Sequence, residues 1–501
     1  MKILEIDYRD LTKDIKCLTI LPIEFIEKYG CLIYCKHNNG YVVLITSNFE
    51  YYNINKLSFF IKEEIYLCYV NDNSWSEILK SIKLSDNRSQ AINKFKIKTD
   101  LSSQNALNDD STKFYDIEIE NSPIVKIVES IIEEGINLGC SDIHFEPQEK
   151  IVKVRFRIDG KLQERSELPI ESLPEISTRI KVLSNLDITK KFIPQDGKLN
   201  FEYENKIYDI RVSIIPGIFG ERLALRILDL HKGLMKLEDL KLNKYVYGEI
   251  NKIINLSSGL VLVVGPTGSG KSTTLHAFLE KNLERNENII TVEDPVEYTI
   301  PGITQVQVNN EAGLDFATCL KTILRQDPNI IMIGEIRDLE TAQIACRASI
   351  TGHLVYSTLH TNTSVGVINR LKDMNVEPYL LVDALRAVIS QRLVRCLCDK
   401  CKEKVKITKI DAKFLNVDED ISVFIPKGCN YCNMTGYSGR CGVYEVIVFD
   451  DDFRKLIIEN SSINKFWNLI KKKKIEKMID YGRELIINGI TSIEEVQSIL
   501  N

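Results

Sequence analysis

The sequence predicts an α/β fold with a central sheet of mostly parallel strands, and three observations lead to it. Residues 260–274 read LVLVVGPTGSGKSTT, which is an apolar run, a glycine-rich loop and the start of a helix. Two later apolar runs, 288–292 and 330–334, each end at acidic residues, as buried parallel strands do beside a ligand crevice. Before them, residues 152–162 alternate between apolar and polar side chains, the pattern of a strand with one buried face.

Length and composition limit the number of domains, the kinds of partner and the location that the protein can have. With 501 residues the chain exceeds the roughly 250 residues that one core supports, so we expect three or more domains. The 65 lysines and arginines against 70 acidic residues leave a net charge of −5, which provides no general attraction for nucleic acid. No stretch of the sequence reaches the roughly 20 apolar residues of a membrane span, and the first residues lack a signal-peptide core. These features favour a cytosolic protein, free or peripherally bound.

The amino-terminal part of the chain divides into two regions. Residues 1–85 mix short apolar runs, such as 41–45 and 65–70, with possible helices, and predict a small α/β or α+β module without catalytic residues. Residues 86–116 are polar and aperiodic, which indicates a linker.

Residues 117–235 predict a second domain that carries arginines on a sheet. Ser122 and Pro123 suit an N-cap and a first helical position, and an apolar helical stripe follows them. Three strands then alternate so that arginines share the face opposite the apolar side chains; these are Arg155, Arg157, Arg211, Arg222 and Arg226. Such a face is either simply solvated or placed to reach a ligand held by a neighbouring domain.

The loop that begins at residue 265 fits the pattern G-x-x-x-x-G-K-[ST], in which backbone N–H groups converge on phosphates at a helix N-terminus. Lys271 would neutralise the β- and γ-phosphates of a nucleotide, and the Ser272 hydroxyl would hold Mg²⁺. A glycine-rich turn that fits by chance is the alternative, and the strand before the loop and the helix after it disfavour that alternative. The candidate nucleotide-binding residues are Gly265, Pro266, Thr267, Gly268, Ser269, Gly270, Lys271, Ser272 and Thr273.

Acidic residues follow two of the predicted core strands. Glu293 and Asp294 come after the run at 288–292, and Glu335 comes after the run at 330–334. Beside a Mg-nucleotide, such carboxylates position the waters of the metal or orient the attacking water. We assign water activation to Glu335 because it stands in the place of a Walker B acid. The alternative is that these carboxylates only cap the next helix. Two such strand ends beside a phosphate loop disfavour that alternative.

Two histidines flank a further apolar run at 354–359. His360 stands at its far end, where a sensor of the γ-phosphate is useful, and we expect that role for it, with a hydrogen-bonded structural role as the alternative. For His353 the sensor role and a hydrogen-bonded structural role both stay open.

The thirteen cysteines of a large cytosolic chain are expected to be reduced and buried, or to bind metal. Cys398 with Cys401 and Cys429 with Cys432 form two C-x-x-C pairs separated by 27 residues. Four thiolates would close the coordination shell of Zn²⁺, so the metal would be structural. Chance pairing of four reduced cysteines is the alternative, and Cys396 is a nearby competitor.

A basic run, Lys471–Lys474, lies near the C-terminus beside Phe466 and Trp467. Most such runs are solvated helix faces, and contact with anionic lipid or an acidic partner is the alternative.

The order of the motifs GPTGSGKSTT, TVEDPVEY, LRQDPN, GEIRD and TGHLVYSTLHTN resembles the secretion ATPase superfamily, specifically the assembly ATPases of type II secretion and type IV pili. The likeness covers residues 122–501 and is loose for residues 1–85. It implies a RecA-like core at 236–395, a PAS-like α+β domain at 117–235, and a region at 396–501 with a zinc insertion and a helical tail. It also implies ATP bound between the second domain and the core, with nucleotide contacts from Arg211, Arg226 and Arg325.

The same resemblance implies what the protein does and which partners it has. We expect a hexamer that hydrolyses ATP with Mg²⁺ and drives an inner-membrane platform protein to add pilin or pseudopilin subunits, with a membrane-anchored assembly protein as a further partner. Retraction-type relatives lack the cysteine insertion, so its presence favours an extension or secretion motor. A nucleotide-gated scaffold with negligible turnover is disfavoured by the acidic residues of the core, and a DNA-uptake or DNA-translocating motor is disfavoured by the net charge.

Overall fold

The structure is a computed structural model that describes residues 2–3, 15–18, 20–50, 53–61, 63–72, 74–76, 78–80, 82–83, 92, 123–228, 235–361, 363–418 and 420–500. The chain divides into two compact units, residues 1–231 with 428–435 and residues 232–427 with 436–501. The predicted N-cap Ser122 and nearly all of the predicted linker lie outside the described residues.

A four-stranded sheet with short helices forms the amino-terminal module. Its elements are β1 (Lys2–Ile3), α1 (Ile15–Leu18), α2 (Ile23–Tyr29), β2 (Cys31–His37), β3 (Gly40–Ile45), α3 (Ile54–Phe60) and β4 (Glu64–Tyr69). The strand order is β1-β4-β3-β2, in which β1 and β3 run parallel to β4 and β2 runs antiparallel to β3. The two apolar runs predicted as strands are β3 and β4, and their side chains form the core of this module.

Six antiparallel strands and two helices form the second domain. Its elements are α4 (Pro123–Asn137), β5 (Asp142–Pro147), β6 (Ile151–Ile158), β7 (Lys161–Pro169), α5 (Leu173–Leu183), β8 (Gln195–Tyr203), β9 (Lys206–Gly217) and β10 (Gly220–Leu228). The strand order is β7-β6-β5-β10-β9-β8. Val152, Val154 and Phe156 on β6 are fully buried, as the alternation predicted, and they pack with the apolar stripe of α4. Ile92, from the predicted linker, packs against this core.

The second unit is built on a seven-stranded sheet. Its elements up to the sheet's sixth strand are α6 (Lys244–Ile254), β11 (Gly259–Val264), α7 (Lys271–Leu283), β12 (Ile289–Glu293), β13 (Thr304–Gln307), α8 (Phe316–Ile323), β14 (Ile330–Ile333), α9 (Leu339–Ile350), β15 (Leu354–Leu359), α10 (Gly366–Asp373), α11 (Pro378–Ala384) and β16 (Leu385–Leu397). The order is β13-β12-β14-β15-β11-β16-β19, and the first six strands are parallel. Helices cover both faces of the sheet and form a separate apolar core on each face. The strands are therefore buried on both sides, and they are apolar throughout their length.

The C-terminal part completes this sheet. Its elements are β17 (Glu403–Lys406), α12 (Lys409–Leu415), β18 (Ser422–Ile425), β19 (Tyr437–Val448), α13 (Asp451–Ile458), α14 (Ile463–Lys472), α15 (Met478–Ile487) and α16 (Ile493–Leu500). The structure differs here from the predicted boundary at residue 395, because β16 continues across it and β19 pairs antiparallel with β16. Pairing with β19 covers an edge that β16 would otherwise expose, so this strand belongs to the core rather than to an appended module.

The aromatic residues beside the basic run belong to the core. Phe466 is buried against Phe453, and Trp467 packs partly buried against the same cluster. Lys473 forms ion pairs of 2.7 Å with both Asp450 and Asp452. Phe466 is therefore unavailable to a lipid surface, which supports a solvated helix face. Within the described residues, no helix is both long and apolar enough to cross a membrane.

Candidate functional site

The phosphate loop, residues 265–272, connects the buried strand β11 to helix α7. Gly268 and Gly270 adopt φ angles of 77° and 84°, a region that favours glycine. At Gly265 a Cβ atom would lie 2.4 Å from the carbonyl oxygen of Gln391 on the neighbouring strand β16. The glycines therefore serve two purposes: two give the loop its curvature, and the third lets the loop pass close to β16.

The side chain of Lys271 folds back over the phosphate loop. Its ammonium group donates hydrogen bonds of 3.0 Å to the carbonyl oxygens of Gly265 and Pro266. Burial lowers the pKa of Lys271, and attraction to the Glu335 carboxylate partly offsets that effect. The next two residues, Ser272 and Thr273, are exposed at the start of α7, where hydroxyl groups can reach a ligand on the loop. The loop thus presents a desolvated cation and two hydroxyls at a helix N-terminus.

Glu335 lies at the carboxyl end of β14 in contact with Arg337 and His360. One of its oxygens forms an ion pair with Arg337, and the other lies 3.3 Å from Nε2 of His360, which follows β15. The backbone beneath is fixed, because the Thr358 hydroxyl donates to the carbonyl of Gly334 at 2.7 Å. Parallel neighbouring strands end at the same edge of a sheet, which is why Glu335 and His360 meet.

The two residues of the acidic pair after β12 have different surroundings. Glu293 is buried and accepts hydrogen bonds from Thr291 at 2.7 Å and Gln305 at 3.0 Å, and His276 Nε2 lies 3.5 Å away. Burial by itself raises the pKa of Glu293, but the contacts with His276, Gln305 and Thr291 outweigh it and lower the pKa. Asp294 is exposed, and its carboxylate lies 3.5 Å from Arg337. Of the two, Asp294 is the one that solvent or a metal-bound water can reach.

Two other candidates lie at the opposite edge of the sheet. His353 precedes β15, where its Nδ1 contacts the carbonyl oxygen of Ala348 at 2.9 Å, which supports a structural role for this histidine. Arg325 follows α8 and donates to the carbonyl of Lys321. The adjacent residues 326–327 bind Asn288, which precedes β12. Strand β14, about 13 Å long at 3.3 Å per residue, separates this edge from Glu335, so Arg325 does not join the Lys271 site of its own chain.

On the arginine-bearing face of the second domain, some cations share a carboxylate and others lie beside further cations. Arg155 and Arg222 each pair with Glu146 at 2.8 Å, so they form an internal network. Arg226, which is 3.0 Å from Asp142, stands opposite Arg211, and Arg211 stands opposite Lys198. Arg157 also contacts Asp142, at 3.5 Å. Three cations side by side on β10, β9 and β8 repel one another, so an anion bound against them is favourable.

The four cysteines of the C-x-x-C pairs come together. The sulfur atoms of Cys398, Cys401, Cys429 and Cys432 all lie within 4.8 Å of one another. The Cys429 and Cys432 sulfurs are 3.8 Å apart, which equals the edge of about 3.8 Å expected for a tetrahedron with Zn–S bonds of about 2.3 Å. The backbone N–H of Cys429 also donates to the Cys432 sulfur at 3.2 Å. Four cysteine sulfurs at these separations form a donor set that fits Zn²⁺.

Sequence reasoning missed three residues around the site. Arg337 belongs to the GEIRD string, so its proximity to Glu335 had a local signal. His276 lies on α7 facing Glu293, and Arg392 lies on β16 with its charge acting on Lys271; neither has a local pattern that indicates this contact. Burial lowers the pKa of Arg392, which marks it as a partly desolvated cation beside the phosphate loop.

Comparison with known proteins gives consistent results. The family model described as type II/IV secretion system protein matches residues 118–498. Type II secretion system protein E of Aeromonas hydrophila is 44% identical over 381 residues, which cover 75% of each chain. Type II secretion system ATPase E of Vibrio cholerae is 42% identical over 382 residues, which cover 76% of each chain. Among solved structures, the ATPase DotB of Legionella pneumophila superposes with a TM-score of 0.56 at 22% identity over 74% of this chain and 94% of that one, which is a likeness of fold.

Proposed function

This chain belongs to the type II/IV secretion system protein family, and from that premise we propose that it is a Mg²⁺-dependent ATPase. The observation that carries the proposal is the meeting of Lys271, Glu335 and His360 at one edge of a parallel sheet, next to a glycine-rich loop at a helix N-terminus. A cation for phosphate, a carboxylate for water and a polar sensor are the groups that phosphoryl transfer to water requires.

Each residue has a proposed role in hydrolysis. Lys271 exchanges its two carbonyl contacts for phosphate oxygens when ATP binds, and Ser272 supplies a hydroxyl ligand for Mg²⁺. The metal, when bound, neutralises charge on the β- and γ-phosphates. Glu335 accepts the proton of the attacking water. His360 senses the γ-phosphate and is linked to Glu335 by their 3.3 Å contact. Asp294 supports the waters of the metal, whereas Glu293, being buried, fixes the end of β12.

Arginines from outside the phosphate loop complete the charge on the nucleotide in this proposal. Arg211 and Arg226 are suited to bind phosphate because they stand opposite each other on neighbouring strands. Several cations on this face share one carboxylate, so positive charge is in excess there. Arg325 lies too far from the loop of its own chain, so we propose that it serves the nucleotide of an adjacent copy. A ring of identical subunits, which we propose to be a hexamer, provides such a copy.

The work done by hydrolysis is proposed from the relatives, which are named for type II secretion. We propose that the ring acts on an inner-membrane platform protein to add subunits to a pseudopilus or pilus. It works at the cytoplasmic side of the membrane, where a membrane-anchored assembly protein holds it. The cysteine cluster would hold Zn²⁺ as a structural metal, since four thiolates leave no coordination position open for a substrate.

The decisive experiment replaces Glu335 with glutamine, which keeps the shape of the side chain but removes its basicity. We expect kcat for ATP to fall by about 10²–10⁴-fold while affinity for ATP is retained, since positioned bases contribute about that much. Glu284→Gln, at the exposed end of α7, is the matched control. A wild-type protein without measurable turnover would instead favour a nucleotide-gated scaffold, and turnover seen only with DNA would favour a DNA motor.

A further inference from the structure

Arg337 lies on the short connection between β14 and α9, and that connection is firmly held. The side chain of Ile336 is buried, and its backbone N–H donates to the carbonyl of Thr358 on β15 at 3.0 Å. Asp338 closes the connection as the N-cap of α9, because its carboxylate accepts from the Thr341 N–H at 2.8 Å. With residues 336 and 338 fixed, the position from which the Arg337 side chain starts is also fixed.

The guanidinium of Arg337 joins two of the candidate catalytic carboxylates. Its Nη2 forms an ion pair with one oxygen of Glu335, and its Nη1 lies 3.5 Å from Oδ2 of Asp294. These are different nitrogens of one planar group, so the guanidinium holds the end of β14 and the loop after β12 in a defined relation. The second oxygen of Glu335 stays directed to His360.

The surroundings explain why a cation is needed at this place. Arg337 lines a cavity of about 240 Å³ together with four acidic residues, Asp294, Asp315, Asp338 and Glu340. Three of these carboxylates have other partners, since Asp315 caps α8, Asp338 caps α9 and Glu340 forms an ion pair with Lys321. Without Arg337, the carboxylates of Glu335 and Asp294 would lose the counter-charge that they share, and repulsion would turn them away from each other.

We propose that Arg337 is a positioning residue for hydrolysis: it holds Glu335 by one oxygen and ties it to Asp294. The other oxygen of Glu335, which lies 3.3 Å from His360, is thereby kept in a fixed position, where its second lone pair can accept a hydrogen bond from water. This inference rests on the proposed ATPase function. Arg337 acts through the two carboxylates, so its loss affects the chemical step and leaves nucleotide binding to the phosphate loop. The structure also predicts that lysine is a partial substitute for Arg337. Its ammonium carries the same charge but can keep only one of the two ion pairs.

The test compares Arg337→Gln, Arg337→Lys and the control Arg347→Gln, an exposed arginine on α9. Steady-state ATPase kinetics, affinity for a non-hydrolysable ATP analogue and melting temperature are measured for each full-length protein. We expect Arg337→Gln to lower kcat by about 100-fold, the scale of a misplaced catalytic group, with KM, analogue affinity and melting temperature as in the control. Arg337→Lys should recover part of that loss.

Two results would overturn the inference. One is a kcat for Arg337→Gln within twofold of the control, and the other is a parallel loss of analogue affinity and melting temperature that lysine does not restore. Failure of the proposed function looks different, because the wild-type protein and the Arg347→Gln control would then both lack turnover.

Discussion

Replacing Lys271 with alanine tests the phosphate loop most directly. In the structure Lys271 is 8% exposed, and its ammonium donates two hydrogen bonds of 3.0 Å to loop carbonyls. On ATP binding these two bonds are exchanged for bonds to charged phosphate oxygens, so the net gain is about that of one charge-assisted hydrogen bond, or about 1.5–3 kcal/mol. Lys271→Ala should therefore weaken ATP affinity by about 10- to 150-fold.

The same substitution should leave the fold intact. Burial lowers the pKa of Lys271, which means that the folded protein disfavours its charged form. Alanine removes that unfavourable burial together with the two hydrogen bonds, and the two effects oppose each other. We therefore expect the melting temperature to stay close to that of the wild type, which separates a binding defect from unfolding.

Lys281→Ala is the matched control, since Lys281 lies on the same helix α7 and pairs with Glu284 at the surface. Affinities are measured by titration with a fluorescent ATP analogue, and ATPase activity is measured in parallel. If Lys271→Ala binds the analogue within threefold of Lys281→Ala while both proteins melt at the wild-type temperature, Lys271 does not hold the phosphates.

Two further predictions concern the metal and a buried carboxyl group. Cys398→Ser should reduce the zinc content per chain and lower the melting temperature, whereas Cys396→Ser should retain the metal; elemental analysis of natively purified protein decides, and a zinc-free wild type would contradict the site. Burial raises the pKa of Glu445, so the folded protein holds an extra proton above the unfolded pKa of about 4.5 and loses stability as the pH rises from there. Glu445→Gln removes this dependence on pH. The melting temperature of the variant minus that of the wild type should therefore increase from pH 5 to pH 8, and a difference that stays constant would exclude the raised pKa.

Features that depend on neighbouring residues in the chain were predictable from the sequence. The strand, glycine loop and helix around Lys271 occupy consecutive residues, so their chemistry is visible as a string. The alternation at 152–158 likewise determines which side chains of β6 are buried, because the period of a strand is two. The cysteine spacing indicated the cluster for a similar reason, since each C-x-x-C pair presents two sulfurs from one turn.

Features that depend on pairing between distant segments were not predictable. Strand β19 joins the core sheet through its register with β16, and nothing in either strand alone identifies the partner. Glu293 resembled Asp294 in the sequence, but contacts from Gln305 and His276 bury one and leave the other exposed. Phe466 lay beside a basic run that suggested a surface, whereas the helix α14 turns it into the core.

The direction of the strands explains which of the predicted site residues meet. The strands β11, β14 and β15 are parallel, so the residues at their carboxyl ends, Lys271, Glu335 and His360, share one edge of the sheet. Arg325 follows the end of a helix that runs back toward the start of β14, so the same topology that brings the others together holds it away. A site with one phosphate-loop lysine and several carboxylates needs further positive charge to stabilise the transferring phosphoryl group. Arg325 lies at the other end of these strands, so the sheet topology is consistent with the proposal that Arg325 supplies such charge to the nucleotide of an adjacent copy, while Arg211 and Arg226 supply it from the second domain.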